Sequence, residues 1–291
     1  AASPALPALA RRPTASSGRG RLSQAWSGRA GWLACVSACI APASFAGADA
    51  RHRRHRFSMS VDRASARMLQ GDDCDPAEGS EVCPPTFSSG AKPHTALLLI
   101  DCQKAFLTGD WARHFGGGDE VAPIRQAFRN TIALLTKPER LSGCAVLCTK
   151  CYTGGEDAEY DDGLKPLLAG VPCVSKPTTD VTRNPAFHRW FKEQLAAGVK
   201  TLVVAGCTTT SCVRVSSQAI RKIYPANSLR VVVDLSLCGA RAENLLPNAE
   251  DDPNLLHVYG AEVCRGASPV DLAMLQMRRS GVEVVDAFDW P

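Results

Sequence analysis

Long apolar runs are scarce in this sequence. After residue 70 no stretch of about eighteen uncharged apolar residues occurs, and a helix needs about that length to cross a bilayer. The 291 residues are nevertheless 45% hydrophobic and 21% charged, a composition typical of globular proteins and unlike that of disordered ones. We therefore expect a soluble folded body with a sizeable core and no membrane partner.

Acidic residues are almost absent from the first 70 positions, which hold eleven Arg but only Asp49 and Asp62. This segment carries a net charge of +9, so the remaining 221 residues, with 22 basic and 27 acidic side chains, carry −5. The basic character belongs to the leader alone. It gives no reason to expect a nucleic-acid partner for the rest of the chain.

Methionine is missing from residues 1–58, which are rich in Ala, Ser, Pro and Arg. This composition is typical of a transit peptide for a mitochondrion or plastid. Two alternatives stay open: a non-native upstream translation before Met59, which would leave the protein cytoplasmic, and a secretory signal over 31–48. Residues 59–93 are expected to form a disordered linker or arm, followed by a domain over 94–291.

Histidine is also scarce, with six scattered residues, whereas cysteine is abundant. The thirteen cysteines are odd in number, extend from Cys35 to Cys264, and often lie inside apolar runs. This distribution is unlike a disulfide framework, and it predicts mostly buried free thiols in a reducing compartment.

The sequence favours a protein without a metal or other cofactor. Cys144, Cys148, Cys151 and Cys173 could be considered as a set of zinc ligands. However, Cys144 and Cys148 are an even number of residues apart on a predicted strand, so both would point into one buried face. The acidic run at 156–162 is expected to be a solvated loop, with a metal or cationic-substrate role as the alternative.

Six short apolar runs with β character appear from His94 onward. They are residues 96–100, 144–148, 171–175, 201–205, 230–235 and 282–286. Helix signals lie between them: Asn184 and Ser268 are placed as N-caps before Pro residues, and Gly198 and Gly281 as stops. Strands that are apolar on both faces and separated by helices predict one α/β domain, a doubly wound, mainly parallel six-stranded sheet with helices on both faces.

Polar residues at the carboxyl ends of parallel strands are the first candidates for a site. Asp101 directly follows the first run and is a candidate general base, although an Asp there can also cap a helix. Lys176 follows the third run, where a solvated side chain is the alternative.

Cys212 follows the fourth run, in VVAGCTTTSCVRVSS, where a helix is predicted to begin near Ser211 or Cys212. A thiol in the first turn of a helix lies beside unsatisfied backbone N–H groups and the positive end of the dipole, which stabilise a thiolate. Cys212 is therefore a candidate nucleophile, with a buried packing thiol as the alternative.

These segments resemble a known family. LLLIDCQKAF, Lys176 after the third strand with Phe187 downstream, and VVAGCTTTSCVRVSS are similar, in order and spacing, to the signature segments of the isochorismatase-like cysteine hydrolase superfamily. The similarity covers about residues 94–290. The segment TTTSCVR is most similar to that of the N-carbamoylsarcosine and maleamate amidases. The resemblance implies a Rossmann-like fold of the isochorismatase-like type.

The resemblance also implies a catalytic triad of Asp101, Lys176 and Cys212. In this scheme Cys212 attacks an amide carbonyl, Asp101 relays the proton to the departing amine, and Lys176 favours the ionised forms of both. The backbone N–H groups of Thr208 and Cys212 would form an oxyanion hole, next to a cis peptide bond between Cys207 and Thr208.

The expected substrate pocket contains Gln103, Phe106 and Trp111. The alternative for Phe106 is that it packs in the core and does not line the pocket. Trp111 and His114 could form a pocket wall or lid, with His114 more typical of an exposed residue. The segments 107–120 and 238–263 are expected to be specificity loops.

The expected activity is hydrolysis of a small amide or ureido C–N bond through a thioester, with a small-molecule partner and a homo-oligomeric assembly. Nicotinamidases of the family carry an Asp-x-His pair after the second strand, and here that stretch reads CTKCYTGGEDAEYDD, without His. This difference disfavours nicotinamide, although a nicotinamidase-type deamidase remains an alternative. A catalytically silent interaction module is the alternative from another class.

Overall fold

The computed structural model of the chain describes residues 94–151 and 154–290. The predicted leader over 1–58 and linker over 59–93 lie outside these residues. Within them, no helix has both the length and the apolar character needed to cross a membrane.

The core of the fold is one six-stranded sheet in which every pairing is parallel, in the order β3-β2-β1-β4-β5-β6. The strands are β1 (Thr95–Ile100), β2 (Cys144–Cys151), β3 (Cys173–Lys176), β4 (Thr201–Cys207), β5 (Arg230–Gly239) and β6 (Glu283–Val285). All six predicted runs form strands, so the predicted doubly wound α/β fold is confirmed. The order reverses between β1 and β4, where ligands bind in open parallel sheets.

Seven α-helices connect these strands in the described part of the chain. They are α1 (Asp110–His114), α2 (Ala122–Leu135), α3 (Pro185–Ala197), α4 (Arg214–Ile223), α5 (Pro253–Tyr259), α6 (Ala261–Cys264) and α7 (Pro269–Arg279). Both predicted N-caps are confirmed. Asn184 Oδ1 accepts from the N–H of Ala186 at 2.8 Å, and Ser268 forms a capping box with Asp271.

Two apolar layers cover the sheet, one on each face. Alternate residues of β1 point in opposite directions: Leu97 and Leu99 pack with Phe128 of α2, whereas Leu98 packs with Phe187 of α3. The same alternation in β2 and β4 makes each strand apolar on both faces. This burial of both faces explains why the strands read as continuous apolar runs in the sequence.

Gly206 sets the closest approach of the two central strands. It is paired with Ile100 and has φ of 107°, and a Cβ at this position would lie 2.0 Å from the carbonyl oxygen of Ile100. Only glycine satisfies both conditions. The main chains of β1 and β4 therefore meet closely just before each strand delivers its candidate site residues.

The segment 238–263, expected to be a loop, is largely ordered secondary structure. Strand β5 is longer than predicted, because its pairing with β4 resumes at Cys238 and Gly239 after extra residues of β5 loop past Ala205. The rest of the segment contains α5, most of α6 and two short 3₁₀ turns, and it packs with α7 around its own small apolar cluster.

The nine described cysteines are all free, as predicted. Six are buried and three are half-buried. Cys144 and Cys148 belong to the same apolar layer, which confirms that their even spacing places them on one face of β2.

Candidate active site

Asp101 leaves the carboxyl end of β1 in a left-handed conformation, with φ of 53°. This region is uncommon for residues other than glycine, but Asp is among those that tolerate it. Its N–H is held by Thr149 at the end of β2, with distances of 3.2 Å both to the carbonyl oxygen and to Oγ1. The neighbouring strand thereby fixes the direction in which the carboxylate points.

Lys176 is the last residue of β3, where it lies opposite Cys151 of β2. Its Nζ is 2.6 Å from Asp101 Oδ2, and both side chains are 0% exposed. Burial lowers the pKa of Lys176, but the Asp101 carboxylate and the Cys212 thiol outweigh burial and raise the pKa above its ordinary value of 10.5. The ammonium is therefore a buried positive charge paired with Asp101, and the alternative of a solvated side chain is wrong.

Cys212 lies on a π-helical turn over Thr209–Val213, and α4 begins only at Arg214. The predicted helix start near Ser211 or Cys212 is thus wrong in detail. The N–H of Val213 reaches back five residues to the carbonyl oxygen of Thr208, at 3.2 Å, and widens the first turn. The thiol lies at the N-terminal end of the combined helix, 3.2 Å from Lys176 Nζ.

The structure therefore brings Asp101, Lys176 and Cys212 together from three strand ends. The ammonium lies between the other two groups, in contact with the carboxylate on one side and the sulfur on the other. A carboxylate can act as a base, and an ammonium beside a thiol favours its thiolate. Such a grouping can perform nucleophilic catalysis on a carbonyl.

Thr208 joins β4 to the π turn. The peptide bond between Cys207 and Thr208 is cis. The carbonyl oxygen of Thr208 accepts from the N–H of Ser211 at 3.0 Å as well as from Val213, and the Thr209 hydroxyl donates to the carbonyl oxygen of Gly239 at 3.0 Å. These bonds place the backbone N–H groups of Thr208 and Cys212 on one well-braced turn.

Two further thiols lie near the three residues but are fully enclosed. Burial raises the pKa of Cys102 and of Cys207 well above the ordinary thiol value, and nearby thiols and the Asp101 carboxylate add to the effect. The Cys207 thiol donates to the carbonyl oxygen of Asp101 at 3.2 Å. Both are packing thiols that stay protonated.

Gln103, expected in the pocket, has a bracing role. Its side chain is buried: Oε1 accepts from the N–H of Cys151 at 2.9 Å, and Nε2 donates to the carbonyl oxygen of Ala158 at 2.9 Å. Its amide therefore joins the end of β2 to the acidic segment. The expected place of Gln103 in the substrate pocket stays a prediction.

Phe106 and Trp111 form an aromatic pair beyond the end of β1. Their ring centroids are 4.9 Å apart, and Trp111 also contacts Phe115 at 4.8 Å. Phe106 is buried in the apolar layer that contains Cys207, whereas Trp111 is half-buried. His114 is exposed, as expected.

The acidic segment 156–162 is attached to the body by its own contacts. Asp162 forms an ion pair with Lys104 at 2.7 Å, Glu159 forms one with Lys165 at 3.1 Å, and Asp157 accepts from the N–H of Asp110. The description as a solvated loop holds for the exposed Glu156 and Asp162 only. Across residues 94–151 and 154–290, no group of three His, Cys, Asp or Glu side chains is arranged to hold a metal ion.

Thr149 is a site residue that the sequence interpretation missed. Its Oγ1 donates to Asp101 Oδ1 at 2.7 Å, and its side chain is fully buried. Thr149 is the polar residue directly after the apolar run 144–148, so it has the same sequence position relative to its strand as Asp101 and Lys176. Threonine is common in strands, and this position alone therefore does not distinguish it as a site residue.

Comparison with known proteins identifies the family of the chain. A family model described as "Isochorismatase domain" matches residues 95–243, just over half of the chain. The chain therefore belongs to the isochorismatase family of hydrolases. No curated protein matches the chain significantly.

Three solved structures illustrate the likeness of fold. The octameric YcaC gene product of Escherichia coli is 18% identical, with 67% of this chain and 76% of that chain covered and a TM-score of 0.46. Nicotinamidase/pyrazinamidase of Bacillus subtilis is 15% identical, with 66% and 99% covered and a TM-score of 0.46. An isochorismatase family protein of Desulfovibrio vulgaris is 20% identical, with 66% and 94% covered and a TM-score of 0.45.

Proposed function

We propose that this protein is a cysteine-dependent amidohydrolase that cleaves the C–N bond of a small amide or ureido compound. The observation that carries the proposal is the contact of Lys176 Nζ with both Asp101 Oδ2 and Cys212 Sγ, at 2.6 and 3.2 Å. A buried base, cation and thiol in contact are the parts that an activated nucleophile requires.

In the first half-reaction Asp101 takes the proton of the Cys212 thiol, and Sγ attacks the carbonyl carbon. The C=O electron pair moves onto oxygen, where the N–H groups of Thr208 and Cys212 stabilise the negative charge. When the tetrahedral intermediate collapses, the C–N bond breaks and the nitrogen takes the proton from Asp101. Ammonia or an amine leaves, and a thioester on Cys212 remains.

In the second half-reaction Asp101 takes a proton from water, whose oxygen attacks the thioester carbon. The C–S bond then breaks, the acid product leaves, and the proton returns to Sγ. Lys176 acts as the positive charge of the site, since the Asp101 carboxylate and Cys212 raise its pKa above the ordinary value. Its role is to stabilise the carboxylate and the thiolate as each forms.

The test is ammonia release from a panel of small aliphatic amides, ureido acids and nicotinamide. We expect turnover of an aliphatic or ureido member by the wild type and its loss in Cys212→Ala. The matched control is Cys144→Ala, because Cys144 is also a buried thiol but lies at the opposite end of β2 from the site. That variant should retain its rate.

Two outcomes would contradict the proposal, and a third would narrow the substrate to nicotinamide. Turnover that survives in Cys212→Ala would remove the cysteine from the mechanism. Turnover of nicotinamide alone would identify the nicotinamidase-type activity. No turnover, together with no thioester adduct on Cys212 by mass spectrometry with any panel member, would favour a silent interaction module.

A homo-oligomer is part of the same proposal, supported by family membership alone. Light scattering coupled to size-exclusion chromatography should give a multiple of the 31.0 kDa chain mass. A mass equal to one chain at micromolar concentration would contradict it.

A further inference from the structure

We propose that Thr149 is a positioning residue that assigns separate tasks to the two oxygens of the Asp101 carboxylate. The inference rests on the proposed function, in which Asp101 is the base. It adds a residue from β2 to a site otherwise built from the ends of β1, β3 and β4. Thr149 touches neither the reacting atoms nor the thiol, so its effect passes through Asp101.

The hydroxyl of Thr149 makes two contacts with the same residue. Oγ1 donates to Asp101 Oδ1 at 2.7 Å and accepts from the Asp101 N–H at 3.2 Å. The single hydroxyl proton is thus directed at the carboxylate, because the other side of the oxygen faces a donor. The side chain therefore holds both the backbone and the carboxylate of Asp101.

The other carboxylate oxygen has a different partner. Oδ2 is buried and has no partner in the described part of the chain besides the Lys176 ammonium at 2.6 Å. With one oxygen bound to Thr149 and the other to Lys176, turning the carboxylate plane out of this position breaks both contacts. The arrangement therefore keeps one oxygen on the side of Lys176, where the proposed proton transfer takes place.

The hydroxyl also affects the charge of the carboxylate. In the described part of the chain the titratable groups facing Asp101 are Lys176, which is cationic, and the thiols of Cys102, Cys207 and Cys212. Among the described residues, the contacts that stabilise the negative carboxylate come from Lys176 and Thr149. A hydrogen bond donated to the ionised form favours that form.

Strand pairing makes this contact rigid. Thr149 is fully buried and is paired with Val174 of β3, while β2 is paired with β1 along most of its length. A valine has nearly the shape of threonine and suits a strand equally well. Thr149→Val therefore removes the hydroxyl with little change in packing, and Thr149→Ser keeps the hydroxyl.

The first measurement needs no substrate. Asp101 is observed by ¹³C NMR with carboxyl-labelled aspartate, and its signal is assigned by its absence in Asp101→Asn. At pH 7 we expect the carboxyl signal of Asp101 to move in Thr149→Val, because the hydrogen bond to Oδ1 is lost. Thr149→Ser keeps the hydroxyl and should leave the signal near its wild-type position.

The second measurement is the pH dependence of turnover with the panel substrate. In Thr149→Val the acidic limb of kcat should move to higher pH, and kcat at pH 7 should fall about 10- to 100-fold with KM changed less than about twofold. Thr149→Ser should restore both. A purely structural role would lower the melting midpoint without moving the acidic limb. Thr149→Ala serves as a second variant without the hydroxyl if Thr149→Val does not fold.

The two hypotheses fail in distinguishable ways. An unchanged Asp101 carboxyl signal in both variants that lack the hydroxyl, or an equal change in Thr149→Ser, overturns the role of Thr149. Turnover that persists in Cys212→Ala overturns the proposed function instead. The NMR result holds in either case, because it reports the carboxylate directly.

Discussion

Cys212 differs from the other described thiols in its contacts. Cys102 and Cys207 are enclosed in the apolar layer of one sheet face, where burial raises the pKa of each. Cys212 lies instead at a helix N-terminus, with the Lys176 ammonium 3.2 Å from its sulfur. A thiol beside a cation at the positive end of a helix is the one expected to react.

Limited iodoacetamide should therefore alkylate Cys212 before Cys207 or Cys102. Mass spectrometry of the digested protein at increasing reaction times gives the order of modification, and loss of activity should follow the Cys212 adduct. Cys212→Ser should lose most activity, whereas Cys207→Ala should fold and retain at least part of it. Inactivation that follows a different cysteine would show that the assignment is wrong.

The buried thiol of Cys144 is expected to make the stability of the fold depend on pH in the alkaline range. Burial raises its pKa from its ordinary value of 9.0 to about 12. The contribution of the buried Cys144 thiol to stability is fully present below about pH 9, because the thiol is then protonated in both the folded and the unfolded chain. Above that value only the unfolded chain ionises, so stability falls by about 1.4 kcal/mol per pH unit per thiol until about pH 12.

Urea unfolding at pH 8 and pH 11 measures this loss. The wild type should lose more free energy of unfolding between the two pH values than Cys144→Ala, which has one ionisable thiol fewer. Comparing each variant with itself at pH 8 removes the cavity cost of the substitution. An equal loss in both proteins would show that Cys144 is accessible to hydroxide in the folded state.

At the scale of secondary structure, the site depends on how closely β1 and β4 approach. Gly206 ends the regular part of β4, and a Cβ there would collide with the carbonyl oxygen of Ile100, the residue before Asp101. Relief of that collision would separate the strand that carries Asp101 from the strand that leads to Cys212. Local backbone packing therefore controls the distance between the two functional groups.

Gly206→Ala should lose about 3 kcal/mol or more of stability and nearly all activity, because the backbone must shift as well as adopt a positive φ. Gly266→Ala is the matched control, since Gly266 has φ of 68° but open space around its missing Cβ. It should cost only about 1 kcal/mol. Similar melting midpoints for the two variants would contradict the steric argument.

For the whole molecule, the catalytic body is expected to be complete without the leader. The family match begins at residue 95, and residues 1–85 lack the apolar periodicity needed to offset ordering costs of about 1 to 2 kcal/mol per residue. A chain starting at Ser88 should melt within a few degrees of the full chain and keep its turnover. A large decrease in either would mean that the leader packs on the body.

Turnover should also be independent of metal ions. Proton transfer and charge stabilisation are assigned to Asp101, Lys176 and backbone N–H groups, which need no ion. Prolonged EDTA treatment followed by desalting should leave the rate unchanged, and elemental analysis should find far less than one equivalent of zinc, iron or manganese. Loss of activity that one of these ions restores would disprove this assignment.

The sequence by itself determined the elements of the fold and three residues of the candidate site. Apolar runs that are buried on both faces, and caps such as Asn184 and Ser268, are local signals whose physical effect acts within a few residues. Asp101, Lys176 and Cys212 followed from the rule that parallel strands carry their polar ends to one edge of a sheet.

The tertiary structure alone decided how these residues are held. Thr149 meets Asp101 across 48 residues of chain, and the π turn before α4 depends on Thr208 and on Thr209 bonding to Gly239 of β5. The bracing role of Gln103 likewise depends on contacts with β2 and the acidic segment. Each depends on strand register and backbone direction between distant segments, which no local pattern encodes because pairing fixes them only when the sheet assembles.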